Sequence, residues 1–537
     1  MKRLFVVALA LTSLHANAAV ISTANDGLLG LYQADSFATM QGNAPCKECQ
    51  TDLQKSNPQA LWYFKHELIA VPQAPTTIAG YSQAAYEQND NTLNALPPLV
   101  WLGSNQVIPE AKISADGQKV ALDSGETLDF GIVDKIPTNL SYWEDSTLQF
   151  FKQRDLRLRG EMVDGKFIAR TVWPLDFKLD LNAKTQPLGK TESLKSLVQF
   201  EHGGAKSAYQ SRLLWGNASN SNGKAVMAFM LNGAQGDDDE AHGGHFAVVT
   251  GRMEADGGYA KWMVNNYYNL ASNSEKGIIA AATPMDKYLM DLNNGQSYYR
   301  PSYMLVAVLK NERVPAQFQA ATNRVYQHFY RNDFVYDHSR DNCAGISIDT
   351  LRALGWNVPT RGVESQLKAT GAYFYVSATD NSLSNGRAAY DYLNTETTRL
   401  FPAVAFDAIG ENLLFGAQQW SRKLYYDHNS VSSYMRQIAD DIEAIYFVRI
   451  PQIPSSRAFG QAPVYGFDEY MAQAPADRSQ WKTVPTTPNP LPEKLKNGLA
   501  LKVGKPSLVP WPAAIVLALF FAGLIWCIRK LHKKFRR

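Results

Sequence analysis

Gly244-His245-Phe246-Ala247-Val248-Val249-Thr250 follows a run of small and acidic residues, and Cys343, in the run Asp341-Asn342-Cys343-Ala344-Gly345, comes 98 residues after the histidine. The first segment predicts a strand that His245 opens, because the glycine-rich lead-in from Gly233 to Gly244 is loop-forming. The second predicts a helix with Cys343 in its first turn. Ile348, Leu351 and Leu354 recur on one face there, and Gly355 follows as a stop. Between them, Tyr259 to Tyr268 and Tyr303 to Leu309 read as strands, and Ala316 to Tyr330 as a helix with Phe318, Val325 and Phe329 inward.

A histidine at a strand start and a thiol at a helix start make a candidate nucleophilic pair. Unpaired N–H groups at a helix N-terminus favour a thiolate, and a neighbouring imidazole accepts the proton and later returns it. The Cys343 N–H is also available to an oxyanion. A third group orients the imidazole. Asn265 and Asn266 on the predicted strand point to opposite faces, so only one of them serves. Asn266 is favoured, with Asn265 and His338 as alternatives. The plain competing account is a buried structural thiol and a satisfied core histidine.

The chain holds four cysteines. Cys46 and Cys49 are expected to form a disulfide, since no βαβ pattern surrounds them to suggest a redox pair. Cys527 falls in an apolar span, which leaves Cys343 unmatched. Asp237, Asp238, Asp239, Glu240, His242 and His245 form a dense set of metal-type ligands, but they lack the spacing of known metal motifs. The reading is a solvated acidic loop with no metal and no cofactor.

The stretch from His242 to Gly355 resembles permuted NlpC-type papain-like proteins, and more closely the Lnb N-terminal periplasmic domain family. Three features carry the resemblance: Gly244-His245-Phe246 opening an apolar strand, the tyrosine-rich stretch from Tyr288 to Tyr303, and Phe334-Val-Tyr-Asp-His-Ser-Arg-Asp-Asn342-Cys343 leading into the helix. The resemblance implies a Cys–His dyad and acyl transfer or hydrolysis through a thioester. Lipoprotein N-acylation from phospholipid is the activity of the family's characterised branch. Asn342 is the motif neighbour of the thiol. Two departures stand out: Ala344-Gly345 follows the thiol instead of a hydroxyl and aromatic pair, and the anchor is one C-terminal span.

The chain ends set the location. Lys2 and Arg3, the apolar run Leu4 to Leu14 and Ala16-Asn17-Ala18 have the layout of a secretory signal. Leu508 to Ile528 holds 21 residues without a charge, and Arg529, Lys530, Lys533, Lys534, Arg536 and Arg537 follow. Such a span with basic residues beside it predicts a membrane helix whose tail is cytoplasmic. Without these eight terminal cations, 45 Lys and Arg face 50 Asp and Glu, which argues against a nucleic-acid partner.

The expected organisation is a signal peptide (1–18), a mixed, largely β accessory region (19–195), the permuted papain-like domain (196–360), a C-terminal α/β region (361–473), a Pro-rich tether (474–507), the span (508–528) and a basic tail (529–537). In the accessory region Leu148 to Lys152 and Lys166 to Trp173 read as strands. Gly203 to Gly223 reads as loop, and Ser430 to Tyr446 as helix. The fold class is α+β. The functional expectation is a periplasmic, inner-membrane-anchored cysteine acyltransferase or hydrolase acting on a cell-envelope substrate: lipid, lipoprotein or peptidoglycan. A non-catalytic envelope binding or assembly protein is the alternative from another class.

Overall fold

A computed structural model describes residues 20–42, 67–72, 99–135, 142–199, 208–233, 244–268, 280–330, 336–337, 341–363, 365–420, 433–455 and 508–535. Its centre is a ten-stranded sheet. In chain order the strands are β1 (Phe37–Gln41), β2 (Leu68–Pro72), β3 (Val100–Trp101), β4 (Gln210–Gly216), β5 (Ala225–Asn232), β6 (His245–Arg252), β7 (Met263–Asn266), β8 (Ala281–Pro284), β9 (Ser302–Leu309) and β10 (Ile442–Ile450). They lie in the order β4-β10-β9-β5-β6-β7-β8-β3-β2-β1, antiparallel except for the β8–β3 pair.

The mixed α and β content agrees with the expected class, but the sheet overrides the expected domain boundaries. Strands β1 to β3 come from before residue 195, and β10 comes from after residue 360. All of them complete the sheet assigned to 196–360. Local pattern identifies a strand, whereas its partner is set by long-range pairing that short windows do not encode.

Both faces of the central strands are covered, which explains why β5 reads Ala-Val-Met-Ala-Phe-Met-Leu-Asn with every residue buried. Met227, Phe229 and Leu231 enter one core with the helices α1 (Arg313–Tyr330), α2 (Cys343–Ala353) and α3 (Pro402–Trp420). Val226, Ala228 and Met230 enter a second core against a six-stranded sheet. Truncating a side chain as large and as buried as Phe229 to alanine costs about 3–5 kcal/mol.

The six-stranded sheet runs Ile21–Ser22, Gln106–Ile113, Leu156–Val163, Lys166–Pro174, Thr127–Ile132, Lys119–Leu122. Buried ion pairs join it to the large sheet. Arg157 reaches Asp26 and Asp286, and Arg159 holds Asp286 at 3.0 Å. Arg170 pairs with Asp291 and Glu67, and Lys287 meets Asp291 at 2.6 Å with its ammonium over the Trp101 ring. Burial pulls the Lys287 ammonium down to about 8, against the opposing charge of Asp291.

Three local readings are corrected. Leu148 to Lys152 is not a strand: Asp145–Phe151 is helical, with the Thr147 hydroxyl accepting the Glu144 N–H at 3.2 Å as an N-terminal cap. The expected loop Gly203 to Gly223 contains β4. The expected helix Ser430 to Tyr446 stops at Asp441, because Ile-Glu-Ala-Ile-Tyr-Phe-Val-Arg-Ile450 is rich in the β-branched and aromatic residues that suit a buried strand.

Trp511–Phe535 forms one helix, α4, of which Trp511–His532 is long and apolar enough to cross a membrane. Its first turn packs on a helical hairpin, Gln366–Thr379 with Leu383–Leu393. Ala513 is buried against Ala369, Tyr373 and Tyr390, and the Tyr373 hydroxyl donates to the Leu508 carbonyl at 2.9 Å. The expected signal, tether and Cys46–Cys49 pair lie outside the described residues.

Candidate active site

Two elements deliver the candidate pair. β6 begins at His245, as expected, and Gly244 ahead of it has φ +85°. A Cβ there would lie 2.0 Å from the Gly233 carbonyl oxygen, so only glycine turns the chain into β6 at this point. α2 begins at Cys343, and Asn342 is its N-cap. The Asn342 amide oxygen accepts the Gly345 N–H at 2.9 Å, and its amide nitrogen donates to the Leu400 carbonyl at 2.9 Å. Gly355 closes the segment with φ +98°.

The two meet at the end of the large sheet. α2 packs against β6, and Cys343 shares a core with Phe246, the residue that follows His245. The His245 Nε2 bonds the Asn266 Oδ1, and both side chains are buried. An amide oxygen only accepts, so Nε2 carries the proton and Nδ1 is left as the basic nitrogen. The Asn266 carbonyl is in turn held by the Tyr326 hydroxyl at 2.9 Å.

Alternation along β7 separates the neighbouring amide as foreseen. Asn265 faces α1, where it forms a reciprocal pair with Gln319 at 2.8 and 3.0 Å. It does not reach His245 by any of these bonds. His338 lies outside the described residues, as do Asp237, Asp238, Asp239, Glu240 and His242. Among the described residues, no group of three or more His, Cys, Asp or Glu converges on a metal-sized site.

Electrostatics at the sulfur differ from the simple expectation. Burial pushes the Cys343 thiol above its ordinary value. The Phe246 N–H, the Tyr336 hydroxyl, the Ala344 N–H and the Arg300 charge pull the other way without overcoming it. Cys343 is 4% exposed and packs within the helix-side core. The helix end therefore does not by itself offset the burial of the thiol.

Local sequence patterns did not single out the polar residues around the pair. Asn232, opposite His245 across the β5–β6 ladder, donates to the Ser302 hydroxyl at 2.8 Å and accepts from the Tyr288 hydroxyl at 2.5 Å. Arg300, fully buried, donates to Gln296 Oε1 at 3.0 and 3.2 Å. Tyr336 accepts the Cys343 N–H at 3.3 Å. The concentration of tyrosine from Tyr288 to Tyr303 and the Phe334-to-Cys343 motif that contains Tyr336 are the signals that pointed to part of this shell. Two surface grooves lie elsewhere: one borders Lys224, Arg252 and Glu312, the other Leu194, Glu411 and Phe415.

Comparison of the chain with family models, with curated proteins and with solved structures returns no match.

Proposed function

We propose that the chain is a membrane-anchored thiol enzyme with a permuted papain-like arrangement, in which Cys343 is the nucleophile, His245 the base and Asn266 the residue that orients the ring. The anchor is the C-terminal helix, with the folded region on the outer face of the inner membrane. The reaction class is acyl transfer or amide hydrolysis through a thioester on Cys343. Phospholipid or lipoprotein acyl groups are the first candidate donors, and peptidoglycan peptide bonds the second. No cofactor enters the chemistry.

One observation supports this reading above the others. Cys343 opens a helix that packs on the strand His245 opens, while the ring of His245 is tied through Nε2 to the Asn266 amide oxygen. In sequence, His245 precedes Cys343, which is the order of the permuted papain-like proteins that the chain resembles.

The test is intact-mass measurement of the full chain after incubation with phospholipid vesicles, and separately with muropeptides. An acyl adduct on Cys343 that is lost in Cys343→Ala and in His245→Ala supports a lipid donor. Muropeptide cleavage lost in the same variants supports peptidoglycan hydrolysis. The burial of the thiol favours one rival, a non-catalytic binding or assembly module. Absence of any adduct or cleavage, with a cysteine whose alkylation ignores His245, would favour that rival.

A further inference from the structure

We propose that Tyr336 is a further catalytic residue of this site, its hydroxyl being the second hydrogen-bond donor to the oxyanion formed when Cys343 attacks a carbonyl. This role rests on the acyl chemistry proposed above and extends it.

The geometry begins at the helix end. The first N–H groups of a helix have no intrahelical acceptor, and the Asn342 side chain satisfies only that of Gly345. The N–H of Cys343 is taken instead by the Tyr336 hydroxyl at 3.3 Å. An oxyanion formed on carbon attached to that sulfur has to lie within about 3 Å of the Cys343 N–H. The hydroxyl therefore occupies the oxyanion position at rest, and an incoming carbonyl oxygen displaces it by about one oxygen diameter without breaking the cluster.

The ring is fixed from two sides. The backbones of Asp337 and Asp341 bond each other at 2.8 and 3.3 Å, which sets Tyr336 in register with the thiol across the loop. Arg399 holds the Asp341 carboxylate at 3.3 Å. The Tyr336 ring lies 5.6 Å from that of Tyr268, which follows β7. Burial pushes the Tyr336 phenol well above its ordinary value, so at neutral pH it remains a donor.

The step balances as follows. His245 Nδ1 takes the thiol proton while the sulfur lone pair forms the C–S bond, and the carbonyl π pair moves to oxygen. The oxyanion accepts hydrogen bonds from the Cys343 N–H and the Tyr336 O–H, with no proton transferred from the phenol. Return of the pair re-forms C=O and expels the leaving oxygen or nitrogen, which takes its proton from the imidazolium. The product is a thioester.

The experiment compares two reactions of Cys343 in the full chain, wild type against Tyr336→Phe. Acylation by p-nitrophenyl butyrate passes through an oxyanion, and the nitrophenolate burst reports its rate. Alkylation by iodoacetamide displaces iodide and forms no oxyanion. Removing one such donor is expected to slow acylation about 10²- to 10³-fold while alkylation changes by less than about threefold.

Phenylalanine keeps the ring contact with Tyr268, and a thermal melt checks that the fold is retained. Equal losses in both reactions would make Tyr336 structural and overturn the proposal. So would unchanged or faster acylation, which would make the hydroxyl a plug. A wild-type chain without a Cys343-dependent burst would overturn the acyl chemistry itself, and this role with it.

Discussion

Replacing Asn266 with alanine removes the amide oxygen that His245 Nε2 meets inside a buried pocket. A buried donor stripped of its acceptor costs about 1–3 kcal/mol. If that energy is lost from the ring orientation that the proposed proton transfer needs, then at about 1.4 kcal/mol per tenfold the proton-transfer rate falls about 5- to 150-fold. The assay is the second-order rate of Cys343 alkylation by iodoacetamide at neutral pH, followed by intact mass on the folded chain. Asn265→Ala is the internal control. It breaks the pair with Gln319 and lowers stability, but leaves the alkylation rate within about twofold, because a site without contact to the ring adds little to its orientation. Equal rates for wild type and Asn266→Ala, or equal losses in the two alanine variants, would refute the assignment of Nδ1 as the base.

Gly244→Ala should destabilise the fold by at least about 2 kcal/mol, read from urea midpoints, since a side chain at φ +85° is strained and its Cβ meets two carbonyl oxygens. A loss below about 0.5 kcal/mol would mean that the turn rearranges freely. Asp286→Asn leaves Arg159 buried without its carboxylate and is expected to cost about 3–5 kcal/mol; a neutral result would show that the ion pairs do not hold the two sheets together. The Cys343 thiol is raised on folding, so its contribution is fully present below the unfolded thiol value and is lost as pH rises through the folded one. The stability difference between wild type and Cys343→Ala should accordingly be flat up to about pH 8 and shrink above it, and growth of that difference at high pH would contradict the burial argument.

Much of the pair's setting was legible because it depends on local rules. A glycine before an apolar run set the start of β6 at His245, and an Asn before a leucine-bearing stretch set the start of α2 at Cys343. Two-residue alternation told Asn265 from Asn266. What stayed hidden depends on distant partners. Nothing in Ile442 to Ile450 specifies that it pairs with both Gln210–Gly216 and Ser302–Leu309, and no glycine or proline marks the helix-to-strand change at Asp441. Tyr336 was part of a quoted motif, yet its role depends on a loop closing through Asp337 and Asp341 to bring a phenol onto a helix amide.

The position of β10 between β4 and β9 sets an order of events during synthesis. Until residue 450 has emerged, the apolar strand β9 and the mixed strand β4, which arrived more than a hundred residues earlier, present bare edges to one another and to any other chain. A product truncated before Ile442 would carry every residue proposed for chemistry and still be prone to clumping. Shortened chains that keep the histidine and the thiol should therefore end beyond Ile450, and slow arrival of this strand is the step at which a holding chaperone would act.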